Sequence, residues 1–407
     1  MSTTAPRDPR LQVDGEGLSG LWGRFTRRAK EGELGSLPVI VGLIVIWLFF
    51  SFKEENFLTS GNITNLMLQI TGIGIIATGI VLVLLLGEID LSVGIVSGLA
   101  AAVMAVLNVK HDWPGWAAIL AGLAVGLGCG LLQGFFITYF RVPSFVVTLA
   151  GLLAFQGLLL YVLGDTGTVN LTDAQITDLA NTFFGTLTGW IIAVVLVVPY
   201  ALVTLYGYRK RLASGLDTVP FVLILIRLIV VCGGVIIGVA VLNSDRGVPL
   251  ATLVFVGIVI AADFLTRRTA FGRHVYAVGG NAEAARRAGI SLFRIRIVVF
   301  ALCSTIAAAG GIMLAARLFA VNQSAGGSDL LLNSIAAAVI GGTSLFGGRG
   351  TAWSALLGAL VIGSIANGMD LMALDSDVKY MVTGAVLLLA VTVDATARRG
   401  RQSSGRA

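Results

Sequence analysis

Glu88, Asp90 and Ser92 put two carboxylates and a hydroxyl into one short word, Gly87-Glu-Ile-Asp-Leu-Ser-Val-Gly94, wedged between two strongly apolar runs. Groups of this kind can exchange protons, hold a cation, bond the hydroxyls of a solute or tie down free backbone amides. A carboxylate at bilayer depth costs about 2.5–3.5 kcal/mol on insertion scales, so two of them need a reason to be there. Two residues apart, they fall on different faces of a helix or in an unwound turn, and cannot act as an i,i+4 pair. Two readings follow. In one, a hairpin end places them in cytoplasmic headgroup water. In the other, a helix break faces a central cavity and the carboxylates bond backbone amides or line a path.

The second informative stretch is Arg267–Arg296, RRTAFGRHVYAVGGNAEAARRAGISLFRIR, with seven arginines and a single acid, Glu283. Its core is a helix-like word from Asn281 to Gly289. Asn281 suits an N-cap, Glu283 complements the positive end of a helix dipole, and Gly289 can end the helix in the left-handed region. About two turns of helix are not stable alone, so the flanking chain or a partner must hold them. Such a helix in the largest basic loop has the form of a docking knob. Among the other polar residues in or beside apolar segments, Asn333, Gln133, Gln156, Asn367 and Asp370 suit interhelix hydrogen bonds better than solute contacts. Asp263 and Arg267 have helix-pair spacing, and Arg227 is placed to snorkel toward the basic cluster at Arg209–Arg211.

Enzyme chemistry has no foothold here, and no catalytic residue, metal ligand or cofactor is expected. A phosphate-binding loop needs Lys followed by Ser or Thr; the five lysines are followed by Glu31, Glu54, His111, Arg211 and Tyr380. The two histidines, His111 and His274, fall in loops on opposite sides of the predicted membrane. Cys129, Cys232 and Cys303 each sit inside an apolar run without a CxxC pattern, which reads as small packing residues.

The elements that must position these words are membrane helices. The chain has 407 residues, 56% of them hydrophobic and 12% charged, with a mean hydropathy of +0.92. A soluble domain carries about twice that charge. Runs near 20 apolar residues recur, each enough to cross roughly 30 Å of hydrocarbon as helix. The alternation of a membrane β-barrel is absent. Twelve segments are expected at 37–52, 62–86, 91–108, 115–140, 143–163, 184–206, 220–242, 247–266, 296–318, 331–346, 351–369 and 379–394. The predicted fold is all-α and polytopic, with about 10–12 transmembrane helices including broken or re-entrant segments. Of these, 143–163 and 331–346 are the candidates for a break.

Charge sets the orientation. With the tail of residues 1–36 inside, alternation places Arg141, Arg209–Arg211, the 267–296 loop, Arg349 and the 395–407 tail inside as well. The opposite loops hold Glu54, Glu55, Asp165, Asp173, Asp178, Asp375 and Asp377, in keeping with the positive-inside rule. Both termini are therefore expected in the cytoplasm, flanking a membrane domain over 37–394. The first 36 residues lack the signature of a cleaved signal peptide. The net charge of +6 is explained by this loop bias and does not call for nucleic acid. Gly122, Gly126, Gly130 and Gly134 lay a smooth stripe along one helix, for internal packing or for a subunit interface. The word from Ile340 to Gly350 suits a tight bend with close backbone approach.

The sequence resembles the permease subunits of carbohydrate ABC importers of the ribose/xylose group. Glu283-Ala284-Ala285 followed by Gly289 is similar to their EAA-type coupling helix. EIDLSVG (88–94), VPSFVVTLAGLLAFQG (142–157), RTAFGRHVYAVGGNAEAARRAGI (268–290) and IAAAVIGGTSLFGGRG (335–350) occur in family order. Glu88 and the extra material around 165–246 are most similar to the D-xylose-type branch. The resemblance implies a homodimeric permease in the bacterial cytoplasmic (inner) membrane, without an ATPase of its own. A cytoplasmic ATP-binding subunit would grip Asn281, Glu283, Ala284, Ala285 and Gly289, and an external sugar-binding protein would deliver a pentose. Glu88, Asp90, Ser92 and Asn333 become candidates for the pathway. Permeases for a nucleoside or a branched-chain amino acid, and an ion-coupled secondary transporter using Glu88 and Asp90, are the alternatives.

Overall fold

With no water to complete their hydrogen bonds, backbone groups in lipid are satisfied within helices, and helix is what this sequence forms almost throughout. A computed structural model describes residues 37–214 and 220–403. The membrane helices come in chain order as α1 (Leu37–Lys53), α2 (Ser60–Leu85), α3 (Val93–Lys110), α4 (Gly115–Tyr139) and α5 (Ser144–Leu163). A short α6 (Ala174–Asn181) precedes α7 (Thr186–Ala213), α8 (Phe221–Asn243) and α9 (Leu250–Arg268). Then follow α10 (Ala270–Gly280), α11 (Ala282–Arg287), α12 (Leu292–Leu318), α13 (Ser328–Ile340), α14 (Trp353–Leu371) and α15 (Ser376–Ser403). Two small antiparallel pairs complete the chain: β1 (Thr168–Asn170) with β4 (Ala320–Asn322), and β2 (Phe183–Phe184) with β3 (Val248–Pro249).

Among the described residues nine helices are long and apolar enough to cross a membrane. Each of the twelve apolar segments expected from sequence coincides with one helix. Of the two candidate breaks, 143–163 is a continuous helix and 331–346 is broken, its helix stopping at Ile340. Gly342, at φ +108°, makes the turn there. The tail of residues 1–36 lies outside the described residues, as do 404–407; α15 itself continues to Ser403.

Helix α2 is the axis of the bundle, buried over most of its length against α12 and α14. Its small residues admit close neighbours: a Cβ on Gly79 would meet the Cys303 carbonyl, and one on Gly74 the Phe255 ring. The glycine stripe of α4 is an internal seam. Side chains at Gly126, Gly130 and Gly134 would collide with the backbone or flank of α12 at Ser304, Phe300–Ala301 and Ile297, and Gly122 lies against the Ala100 carbonyl of α3. Such contact supplies the dispersion that holds helices together where lipid removes the hydrophobic drive. By contrast α7 and α8 pack chiefly on each other at the periphery, with Ile229, Val230 and Ile237 outward. Arg227 does not follow its expected path to the basic cluster. Its Nε donates to the Tyr200 hydroxyl of α7 at 2.9 Å.

The stretch expected as a basic loop is largely helical. After α9 ends at Arg268, Thr269 caps α10 by accepting from the Gly272 N–H at 3.2 Å. Phe271, Val275 and Val278 share one face of α10 and join the core. Seven arginines obscured that short amphipathic pattern in the sequence.

Candidate functional site

Helix α11 is built as its sequence dictates. Asn281 Oδ1 accepts from the Ala284 N–H at 2.9 Å, filling one of the donors a helix start leaves open. At the other end Gly289, at φ +84°, donates to the Arg286 carbonyl and Ile290 donates to the Ala285 carbonyl. These two bonds form a Schellman motif. Ala285 is buried and anchors the helix, while Glu283, Ala284 and Gly289 face outward. Glu283 pairs with Arg286 at 2.9 Å and Arg287 at 3.2 Å. The Arg286 bond first, then that of Arg287, holds the Glu283 carboxyl below the usual carboxylate range.

What carries α11 is the contact of α10 with the end of α2. Gly279 allows it, since a Cβ there would strike the Leu85 carbonyl and the Gly348 N–H. The same Leu85 carbonyl accepts from Gly348 at 2.9 Å, and the Tyr276 hydroxyl donates to the Gly350 carbonyl at 2.8 Å. Gly347 is seated equally close to Gly87 and Gly279. Three segments distant in sequence thus meet backbone to backbone: the α2 end, the turn at 341–350 and α10. The glycine word at 341–350 hinted at close approach, but its partners could not be read from it.

The polar word at 87–94 occupies the gap between α2 and α3, and its members part company. Glu88 forms an ion pair with Arg296 of α12 at 2.8 Å. Asp90 is buried, and its Oδ1 accepts from both the Ser92 N–H at 2.9 Å and the Ser92 hydroxyl at 2.7 Å. Gln133 of α4 donates from Nε2 to the Ser92 hydroxyl at 2.6 Å. Asp90 Oδ2 and Gln133 Oε1 are buried without a hydrogen-bond partner among the described residues. Asp90 and Ser92 are therefore brought together, Glu88 is turned to a different helix, and Asn333 lies half-buried on α13 outside that network. Arg296 was legible only as a topology arginine. The hint was that a carboxylate in an apolar word needs a cation within reach.

Asn367 and Asp370 bond between helices, whereas Asp263 pairs within its own helix α9. Asn367 of α14 exchanges amide bonds with Asn62 of α2 at 2.8 and 3.0 Å. Asp370 pairs with Lys379 at 2.5 Å, and Asp263 with Arg267 at 3.1 Å. Among the described residues no cluster of His, Cys, Asp and Glu is arranged to hold a metal ion. One cavity of about 440 Å³ opens beside the C-terminal half of α12, bounded by α3, β4 and the start of α13. Glu88, Asp90, Ser92 and Asn333 do not line it.

Residues 62–391 match the family described as branched-chain amino acid transport system / permease component. The chain is 37% identical over 401 residues to the xylose transport system permease protein XylH of Escherichia coli, covering 98% of this chain and 100% of the relative. The corresponding protein of Haemophilus influenzae is 36% identical, with 91% of this chain and 99% of the relative aligned. The ribose import permease protein RbsC of Escherichia coli is 30% identical, over 87% and 92% of the two chains. No solved structure matches. Nine helices long and apolar enough to span a membrane among the described residues, with a family match over residues 62–391, make the chain a multi-pass membrane protein that belongs to this transport-system permease family.

Proposed function

We propose that the chain is the membrane-spanning subunit of an ATP-driven importer that carries a monosaccharide, a pentose such as D-xylose, across the bacterial cytoplasmic membrane. The observation that carries this is α11: a short, doubly capped and exposed helix, docked through α10 onto the end of the central helix α2. A separate cytoplasmic ATP-binding subunit grips it through Asn281, Glu283, Ala284, Ala285 and Gly289. Motion there is passed to α2 by the contacts at Gly279 and to α12 by the chain itself. An external sugar-binding protein delivers solute at the opposite end, and two copies of the chain form the transporter. With α11 inside, both termini lie in the cytoplasm and membrane lipid surrounds α7 and α8. The xylose-named relatives support the pentose, and they align over nearly the whole chain.

A permease for another small solute, such as a branched-chain amino acid, is the second reading, favoured by the family's description. Reconstitution in vesicles with the ATP-binding subunit and the sugar-binding protein separates them. The expected result is ATP-dependent uptake of D-xylose that neither L-leucine nor a nucleoside displaces. Uptake by the chain alone, driven by an ion gradient without any ATPase, would overturn the proposal.

A further inference from the structure

The α7–α8 hairpin is fastened to the bundle chiefly at its outer end. Of α7 only Gly189 and Ala193 are buried, and of α8 only Val239 and Leu242. Ala193, Val239 and Leu242 form a small core with Val248, against Met67 of α2 and Leu253 of α9. Beside it Gly189 sits so close to the Asn243 amide that a Cβ would collide with it. Toward the other end the pair presents an apolar surface, with Leu202, Val203 and Tyr206 of α7 and Ile226 and Val230 of α8 exposed. Neither helix contains an acidic residue.

Set into this surface are Tyr200 and Arg227. Arg227 Nε donates to the Tyr200 hydroxyl at 2.9 Å, and its Cζ lies 5.8 Å from the ring centroid. The tyrosine therefore holds the guanidinium level with itself, about 9 Å along α8 from Phe221 at 1.5 Å per residue. Arg227 is exposed, and its terminal Nη groups have no partner among the described residues. A guanidinium at that depth is costly unless an acceptor meets it. At the inner end of α7, roughly 14 Å beyond Tyr200, Arg209, Lys210 and Arg211 are exposed as well.

We propose that the hairpin binds an anionic phospholipid of the inner leaflet, its phosphate held by the Nη groups of Arg227 and by the Tyr200 hydroxyl. A guanidinium offers paired N–H donors to two phosphate oxygens. Tyr200 accepts from Nε through its oxygen, so its O–H remains to donate. The Arg209–Arg211 cluster lies too far inward to share that phosphate; it draws headgroups of net negative charge to the hairpin. A second copy of the chain is the other candidate to cover this surface. Among the described residues it has no carboxylate to spare at that depth: Glu88 is paired with Arg296, Asp263 with Arg267, and Asp90 is buried. The choice of leaflet rests on the importer reading, which puts α11, and with it the start of α8, on the cytoplasmic side.

Native mass spectrometry of the full chain, released from mixed detergent and lipid micelles, tests this with phosphatidylglycerol and phosphatidylcholine as probes. The unsubstituted chain is expected to hold phosphatidylglycerol about tenfold more tightly than phosphatidylcholine. Arg227→Gln should lose about tenfold of that affinity, the scale of one charge-assisted hydrogen bond. Tyr200→Phe keeps the ring and loses the hydroxyl, and should weaken retention several-fold; it carries the test even if Arg227→Gln fails to fold. Equal retention of the two lipids overturns the proposal, as does equal retention of phosphatidylglycerol by the variants and the unsubstituted chain. A change of copy number in Arg227→Gln with lipid retention unaltered also overturns it, and marks the surface as an interface between copies. Neither sugar nor ATP enters the measurement. Its failure therefore leaves the importer reading standing, and a failure of D-xylose uptake leaves the lipid site standing.

Discussion

Glu88, at the break between α2 and α3, is ion-paired with Arg296, in the second turn of α12, at 2.8 Å. Both side chains are partly buried, Glu88 to 16% exposure and Arg296 to 30%. The pair ties the end of the central helix to the helix that leaves α11. It lies on the same end of the bundle as the Gly279, Gly348 and Leu85 contact, so α10, α11 and α12 are fastened to α2 at two places.

Removing one partner leaves the other charge poorly solvated. Glu88→Gln or Arg296→Met should each destabilise the protein by about 1–3 kcal/mol, less than a fully buried pair because Arg296 retains some water. The double variant should recover about 1 kcal/mol or more of the summed loss in a thermal-melting cycle. Additive losses would show that the two side chains do not interact. Uptake unchanged in Glu88→Gln would mean the pair has no part in transport.

Gly279 and Gly280 are neighbours with opposite surroundings. A methyl group at Gly279 meets the Leu85 carbonyl and the Gly348 N–H, while one at Gly280 meets nothing within 4 Å. Gly279→Ala should cost about 1–3 kcal/mol by forcing the backbones apart and should abolish uptake. Gly280→Ala should leave both near the unsubstituted level. Equal behaviour of the two variants in melting and transport would remove the contact from the mechanism.

The two caps of α11 can be weakened separately. Asn281→Ala loses its bond to the Ala284 N–H and should weaken the helix by about 1 kcal/mol. Gly289→Ala must hold a Cβ at φ +84°, a strain of about 1–2 kcal/mol. Both substitutions lie on the exposed face, so membrane insertion should persist while ATP hydrolysis by the partner subunit no longer drives uptake. Full coupling in both variants would count against α11 as the docking helix.

The Asp90, Ser92 and Gln133 network gives an ordering. Asp90→Asn keeps an oxygen for the Ser92 N–H and hydroxyl and removes a buried charge, so it should melt close to the unsubstituted protein. Asp90→Ala removes that acceptor and should cost about 1–3 kcal/mol. Ser92→Ala strands Gln133 Nε2 and should fall in the same range. If Asp90→Asn proved as damaging as Asp90→Ala, the charge itself, and not its hydrogen bonds, would be what the break requires.

Glu283 has a defined pH sign. Its folded-state carboxyl titrates below the ordinary range because Arg286 and Arg287 bind the charged form. The ion pairs are therefore present above the unfolded value of about 4.3 and are lost only as pH falls through the lowered folded value. Coupled uptake should show no titration from Glu283 between about pH 6 and 8. A comparison of the pH profiles of the unsubstituted chain and Glu283→Gln checks this, and a step in that window confined to the unsubstituted chain would contradict it.

Much of this architecture was decided locally and could be read without a structure. The cost of an unsatisfied backbone in lipid turns long apolar runs into helices, and all twelve appeared at their expected places. Asn281 and Gly289 bound α11 because an N-cap bond and a left-handed turn are matters of a few adjacent residues. The glycines of α4 announced close packing, though not that α12 was the partner. What the tertiary structure alone decided is which distant groups meet. The pairing of Glu88 with Arg296, the meeting of Gly279 with Leu85 and Gly348, and the separation of Asn333 from the Asp90 network depend on how α2, α12 and α13 lie side by side. The cavity beside α12 belongs to the same class, for its walls come from α3, α12, β4 and the start of α13. Local chemistry fixes where a helix starts and stops; only the packing of helices in three dimensions assigns each polar group its partner.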